Sequence, residues 1–192
     1  RGIKQSDAAA NGGLDFEADN GIYAGTWVSE VGGAGGDDPS ELEYDLYAGW
    51  GGEFEGVSLG LGVTGYYYTG DDVFDTSYEE VNLSLGYGIA SIGYDIGSWE
   101  DQADDGGDAK YTDLSFDLSY EAFTATIGKY EINDDDIEIE RVDNTYIELG
   151  YGFDLGAGFE GSLTYVRADY DAKDVDNTND LVFGVSKSFD IM

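Results

Sequence analysis

Residues 56–72, GVSLGLGVTGYYYTGDD, alternate strictly: Val57, Leu59, Leu61 and Val63 are apolar, and Ser58, Gly60, Gly62 and Thr64 lie between them. A period of two places one set of side chains on each face of a strand. The same rhythm recurs in GGLDFEA (12–18), GIYAGTWVSEV (21–31), ELEYDLYAGW (41–50), YEEVNLSLGYG (78–88), ASIGYDIGSW (90–99) and KYTDLSFDLSYE (110–121). It continues through FTATIGKYEI (123–132), NTYIELGYGFDL (144–155), FEGSLTYVRADY (159–170) and NDLVFGVSKSF (179–189). No apolar run approaches the roughly 20 residues that a membrane helix needs. Pro occurs once in 192 residues, which suits long paired strands because Pro removes a ladder donor. The chain therefore reads as a single all-β domain, residues 1–192.

The joints sort by length. DNG, GGEFE, YGIAS, YEAFT and LGAG are tight, whereas GGAGGDDPSE, TGDDVFDTS, EDQADDGGDA, NDDDIEIERVD and DAKDVDNTN are long and acidic. The two kinds alternate along the chain, as in an up-and-down antiparallel barrel whose ends face different surroundings; outer-membrane barrels have short periplasmic turns and longer external loops. Aromatic residues gather near the short joints (Phe16, Trp50, Tyr87, Tyr120, Phe123, Tyr151, Phe153, Phe159 and Phe189). A second set lies toward the long ones (Tyr66, Tyr67, Tyr68, Trp99, Tyr111, Tyr130 and Tyr170). Two belts of amphipathic rings are expected at the two water–lipid boundaries.

Face composition sets the orientation. Leu42, Tyr44, Leu46, Ala48 and Trp50 share one face, and Glu43, Asp45, Tyr47 and Gly49 the other. Leu114, Phe116, Leu118 and Tyr120 likewise oppose Asp113, Ser115, Asp117 and Ser119. A polar face of Gly, Ser, Asp and Glu suits a narrow wet interior, so the apolar face is expected to meet lipid. Segment 21–31 has Tyr23 and Trp27 on one parity and Ile22 and Val28 on the other, and alternation alone assigns neither.

With 8 basic and 42 acidic residues, the net charge is −34. That charge repels nucleic acid. There is no His and no Cys, which removes Ser-His, Asp-His and thiolate chemistry and any disulfide framework. Carboxylate pairs are too common here to mark a catalytic site, and no enzyme is expected. The expected inward acids are Asp15, Glu17, Glu43, Asp45, Asp95, Asp113, Asp117, Glu121, Glu148, Asp154 and Glu160; acid rings in a pore favour cations. The function expected is a passage for small solutes with a cation preference. The alternatives are a closed structural or interaction barrel (an anchor, adhesin or assembly unit) acting through its acidic loops, and a soluble ligand-binding barrel.

Asp174, Asp176 and Asp180 alternate in DAKDVDNTND, and EINDDDIE supplies Asp134, Asp135 and Asp136; either group offers oxygens for Ca²⁺, although the first lacks the glycine and distal glutamate of an EF-hand. No other cofactor is expected. Lys129 and Arg167 fall on outward parity near the long-loop end, where they would meet lipopolysaccharide phosphates or simply snorkel. Lipid, lipopolysaccharide, small solutes and a second copy or partner protein are the expected associates.

Arg1-Gly2-Ile3 with Gln5 and Asp7, then Gly12-Gly13-Leu14-Asp15-Phe16, Gly21 with Tyr23-Ala24-Gly25 and Trp27, DLYAGW at 45–50, and Val185-Ser186-Lys187-Ser188-Phe189 follow in an order that resembles the TorF-like family of outer-membrane porins. The resemblance implies a Gram-negative outer-membrane location and about 12 strands. Eleven segments are complete in the sequence, and RGIKQSD then reads as the upper end of a first strand truncated at Arg1. Bacterial single-chain barrels have even strand numbers.

Overall fold

The computed structural model describes residues 1–32, 41–69, 77–100, 108–133, 143–171 and 176–191. Its strands are β1 (Asn11–Glu17), β2 (Ile22–Val31), β3 (Glu41–Phe54), β4 (Val57–Tyr68), β5 (Tyr78–Tyr87), β6 (Ala90–Glu100), β7 (Asp108–Tyr120), β8 (Phe123–Ile132), β9 (Asn144–Gly156), β10 (Phe159–Tyr170) and β11 (Thr178–Ser186). All eleven form one antiparallel sheet in sequence order, an up-and-down meander. Among the described residues no helix is long and apolar enough to cross a membrane, a criterion that says nothing of strands.

At one end, the turn end, the strands are joined by tight turns. Glu55–Gly56, Gly88–Ile89, Glu121–Ala122 and Ala157–Gly158 are two-residue connections. Glu55 and Gly56 both have positive φ (51° and 82°), the backbone hand that matches the twist of a two-residue hairpin. The tight joint expected at 51–55 is therefore narrower than its glycines suggested, because Gly51–Phe54 stay in the β3–β4 ladder. Glu121, expected on the inward face, sits in a turn at φ 53° because β7 ends at Tyr120.

The sheet curls. Tyr111 on β7 bonds Glu80 on β5 across β6, Tyr146 on β9 bonds Asp113 on β7 across β8, and Tyr47 on β3 bonds Asp15 on β1 across β2. Side chains two strands apart meet only on a concave face. The convex face carries Leu59, Leu61, Val63, Val81, Leu83, Leu85, Ile92, Ile96, Leu114, Phe116, Ile147 and Leu149, all of them exposed. Register assigns the two faces of segment 21–31: Tyr23, Trp27 and Ser29 lie on the parity of Glu43 and Asp45, while Ile22 and Val28 face outward.

The two aromatic belts fare differently. Phe16, Trp50, Tyr87, Tyr120, Phe123, Tyr151 and Phe159 are exposed on the convex side near the turn end, as expected. The belt expected toward the loop end is mostly inside. Trp99, Tyr111 and Tyr130 are among the most buried side chains, and rings run from Tyr68 through Tyr78, Trp99 and Tyr111 to Tyr130 at 5.2–6.0 Å centroid spacings. The reason is parity: Trp99 alternates with Asp95, and Tyr111 with Asp113, so each ring shares the concave face with its acid. Tyr67, with the opposite phase, stays outside and stacks on Tyr44 at 5.4 Å.

Residues 1–10 form no strand. The segment expected to head a further strand instead crosses from the β10–β11 edge to β2. The Gly2 carbonyl accepts from the Tyr170 and Thr178 hydroxyls, both at 3.4 Å, and the Gln5 carbonyl accepts from the Gly32 N–H at 2.9 Å. Arg1, drawn by carboxylates, turns into the concavity, and Gly2 with φ 68° permits the bend. A Cβ on Gly2 would come within 2.7 Å of Ala168 Cβ. Among the described residues no ladder joins β1 to β11. A cavity of about 610 Å³ lies beside this segment, lined by it and by residues of β11.

Candidate functional site

The concave face has two zones. Toward the turn end it is lined by small residues: Gly49, Gly60, Gly62, Ser84, Gly93, Ser115, Gly150, Ser162 and Gly184 share the inward parity. Toward the loop end it is crowded with acids and rings. This zone holds most of the buried groups, including Glu41, Glu43, Asp45, Glu80 and Asp113.

Cross-strand glycines shape the crowded zone. A Cβ on Gly97 would lie 2.0 Å from the Tyr111 ring, and one on Gly128 2.2 Å from the Tyr146 ring. Each tyrosine thus lies flat over the glycine of the neighbouring strand, and its hydroxyl reaches one strand further. Tyr111 donates to Glu80 at 2.8 Å and Tyr146 to Asp113 at 2.9 Å. Gly97→Ala must push the Tyr111 ring off Glu80; overpacking of this kind costs about 1–3 kcal/mol. Denaturant unfolding in detergent micelles checks this, with Gly12→Ala, which meets nothing within 4 Å, as the reference.

Arg1 sits at the centre. Its Nη2 pairs with Glu80 and lies 3.1 Å from Asp95, its Nε lies 3.6 Å from Asp113, and its guanidinium carbon is 5.5 Å from the centre of the Tyr111 ring. Neutral donors hold these acids in place. Tyr66 donates to Glu80 at 3.2 Å, and Asn82 donates to Glu80 and, at 3.0 Å, to Asp95. Glu148 faces the Arg1 nitrogen at 3.3 Å.

The sequence-expected acids divide among several environments. Asp95, Asp113 and Glu148 gather around Arg1. Glu43 is buried and accepts from Gln5 Nε2 at 3.2 Å. Asp45 is 8 % exposed, and its Oδ1 has no hydrogen-bond partner among the described residues. Asp117 stands apart, nearer the turn end, accepting from Ser115 at 2.9 Å and Thr126 at 2.6 Å. Asp15 is exposed and accepts from Tyr47. The sequence reading missed Arg1, Glu80, Asn82 and Trp27 as concave residues. Glu80 and Asn82 were findable, since they alternate with the outward Val81 and Leu83.

Lys129 and Arg167 face outward, and each pairs with an acid two residues on: Lys129 with Glu131 at 2.5 Å, Arg167 with Asp169 at 2.6 Å. Asp174 lies outside the described residues, as do Asp134, Asp135 and Asp136. Asp176 is exposed, and Asp180 stands 3.5 Å from Lys4. The hydrogen bond from Lys4 to Asp7, helped by Asp180, holds the Lys4 ammonium above its ordinary range. Among the described residues no group of three or more carboxylates stands close enough to hold a metal ion. The concave cations among the described residues, Arg1 and Lys4, both come from the N-terminal segment rather than from a strand.

The arrangement defines a curled antiparallel meander with an apolar convex face and an acidic concave one. The chain belongs to a family of bacterial proteins of unknown function, Gcw_chp, whose model matches residues 1–189. No curated protein matches it. Among solved structures it is similar to a porin refined at 1.8 Å resolution, with 22% identity, a TM-score of 0.45, 88% of this chain covered and 58% of that chain. The chain thus spans less than two thirds of that porin's length.

Proposed function

We propose that the protein is a small outer-membrane β-barrel of the TorF-like kind, a porin that passes small solutes with a preference for cations. The observation that carries this reading is the inversion of polarity: leucines, valines and isoleucines are exposed on the convex face while buried carboxylates crowd the concave one. A soluble curled sheet gains nothing by that arrangement, whereas a lipid-bathed one requires it. Topology supports closure. β1 and β11 are both odd members of an antiparallel meander and run in the same direction, so one more strand, antiparallel to both, fits between them. In this reading Lys129 and Arg167 lie at the lipopolysaccharide level.

The alternative is a closed barrel acting as an anchor or interaction unit. It is favoured by the ring series Tyr68–Tyr130 and the Arg1 cluster, which fill the loop-end half of the concavity. Conductance across a planar bilayer separates the two. Under a salt gradient the reversal potential is expected on the cation side, and Asp45→Asn and Asp117→Asn are each expected to move it toward zero. A silent barrel removes the porin reading; an anion preference removes the acid-ring mechanism; an unchanged reversal potential in both variants removes those two acids from it.

A further inference from the structure

We infer that the pocket around the Arg1 side chain is a guanidinium-binding site, with Arg1 its tethered occupant and free guanidino compounds its ligand class. The inference rests on the reading of the concave face as a solute path.

The pocket is built around a flat, forked cation. Glu80 and Asp95 meet one end of the guanidinium, Asp113 faces Nε, and the Tyr111 ring lies beside the plane. A planar group with several donors satisfies such a set, whereas a compact ammonium reaches one acid at a time. The acids are held by other groups than Arg1. Tyr66, Tyr111 and Asn82 converge on Glu80, whose side chain is 1 % exposed, and Tyr146 fixes Asp113. Three strands, β5, β6 and β7, supply the carboxylates, so the site persists when its occupant leaves.

Outside the pocket, few bonds hold the segment that carries the occupant; the Gln5 carbonyl accepts from the Gly32 N–H at 2.9 Å, and Gln5 Nε2 donates to Glu43 at 3.2 Å. Residues 1–10 have no ladder, and the Gly2 carbonyl is held by two hydroxyls at 3.4 Å. Lys4 reaches Asp180 only at 3.5 Å, and Ile3, Lys4 and Gln5 are exposed. A short tether supplies its ligand at an effective concentration of order millimolar, so a free guanidino compound at higher concentration displaces it.

The test uses the folded chain in detergent micelles. Methylguanidinium is titrated against methylammonium and sodium at matched ionic strength, and tryptophan fluorescence is the readout, since Trp99 lies 5.8 Å from the Tyr111 ring. Methylguanidinium is expected to bind Arg1→Gly at least about tenfold more tightly than the unaltered chain, because the tethered competitor is gone. Adding Glu80→Gln is expected to abolish the gain. Arg1→Lys gives a second route should Arg1→Gly not fold: lysine competes poorly for a forked site, so methylguanidinium again binds more tightly than to the unaltered chain. The inference is overturned if methylguanidinium binds no better than methylammonium, or if Glu80→Gln leaves its affinity unchanged. Because binding is read without conduction, its failure beside an intact cation preference sinks this inference alone, and a silent bilayer sinks only the porin reading.

Discussion

Leu149→Arg is expected to destabilise the protein by about 2–4 kcal/mol in a phospholipid bilayer, the cost of an arginine on the lipid face at mid-depth. Leu149 lies midway along β9, half exposed, flanked in register by Ala125 and Tyr165. If that surface faced water, the same substitution would stay within about 0.5 kcal/mol, as surface changes usually do. The measurement is denaturant unfolding from vesicles, with Asp15→Asn on the concave side as the reference. A neutral Leu149→Arg would remove lipid from the convex face, and with it the porin.

Glu80→Ala should be the most damaging change on the concave face. Removing one partner of a buried ion pair costs about 3–5 kcal/mol, because the charge left behind keeps its desolvation penalty. Here Tyr66 and Tyr111 lose their acceptor, Asn82 loses one of its two, and Arg1 loses a counter-charge. Asp95 and Asp113 remain near Arg1, and Asp95 still accepts from Asn82, which softens the loss without cancelling it, since neither acid accepts from Tyr66 or Tyr111. Unfolding in micelles, compared with Asp15→Ala at an exposed site, reads the difference directly. A Glu80→Ala cost no larger than that of Asp15→Ala would mean that the Arg1 cluster contributes nothing to the fold.

Alternation identified nearly every strand to within a residue or two at most ends, because a sheet with one apolar face repeats every second residue whatever its curvature. It also placed Asp45, Asp113 and Asp117 on the concave side. It went wrong where position along the strand was read without phase. Trp99 and Tyr111 were near the long loops, but their parity matched Asp95 and Asp113, and parity decides the face. Glu80 and Asn82 were legible by the same rule and were overlooked. Other features were not legible at all. The gap between Tyr111 and Glu80, with β6 lying between their strands, closes only because the sheet curls, and no local pattern encodes that distance. The turn of Arg1 into the concavity depends on carboxylates 79 to 112 residues away in the chain.

The sequence by itself determined an antiparallel meander, its two unlike faces and its alternating joints, since each follows from side-chain period and turn chemistry over a few residues. Only the tertiary structure decided which acids meet, which rings lie over which glycines, and that an arginine occupies their centre. Curvature brings together groups remote in the chain, and electrostatic attraction in a shielded concavity then selects among them.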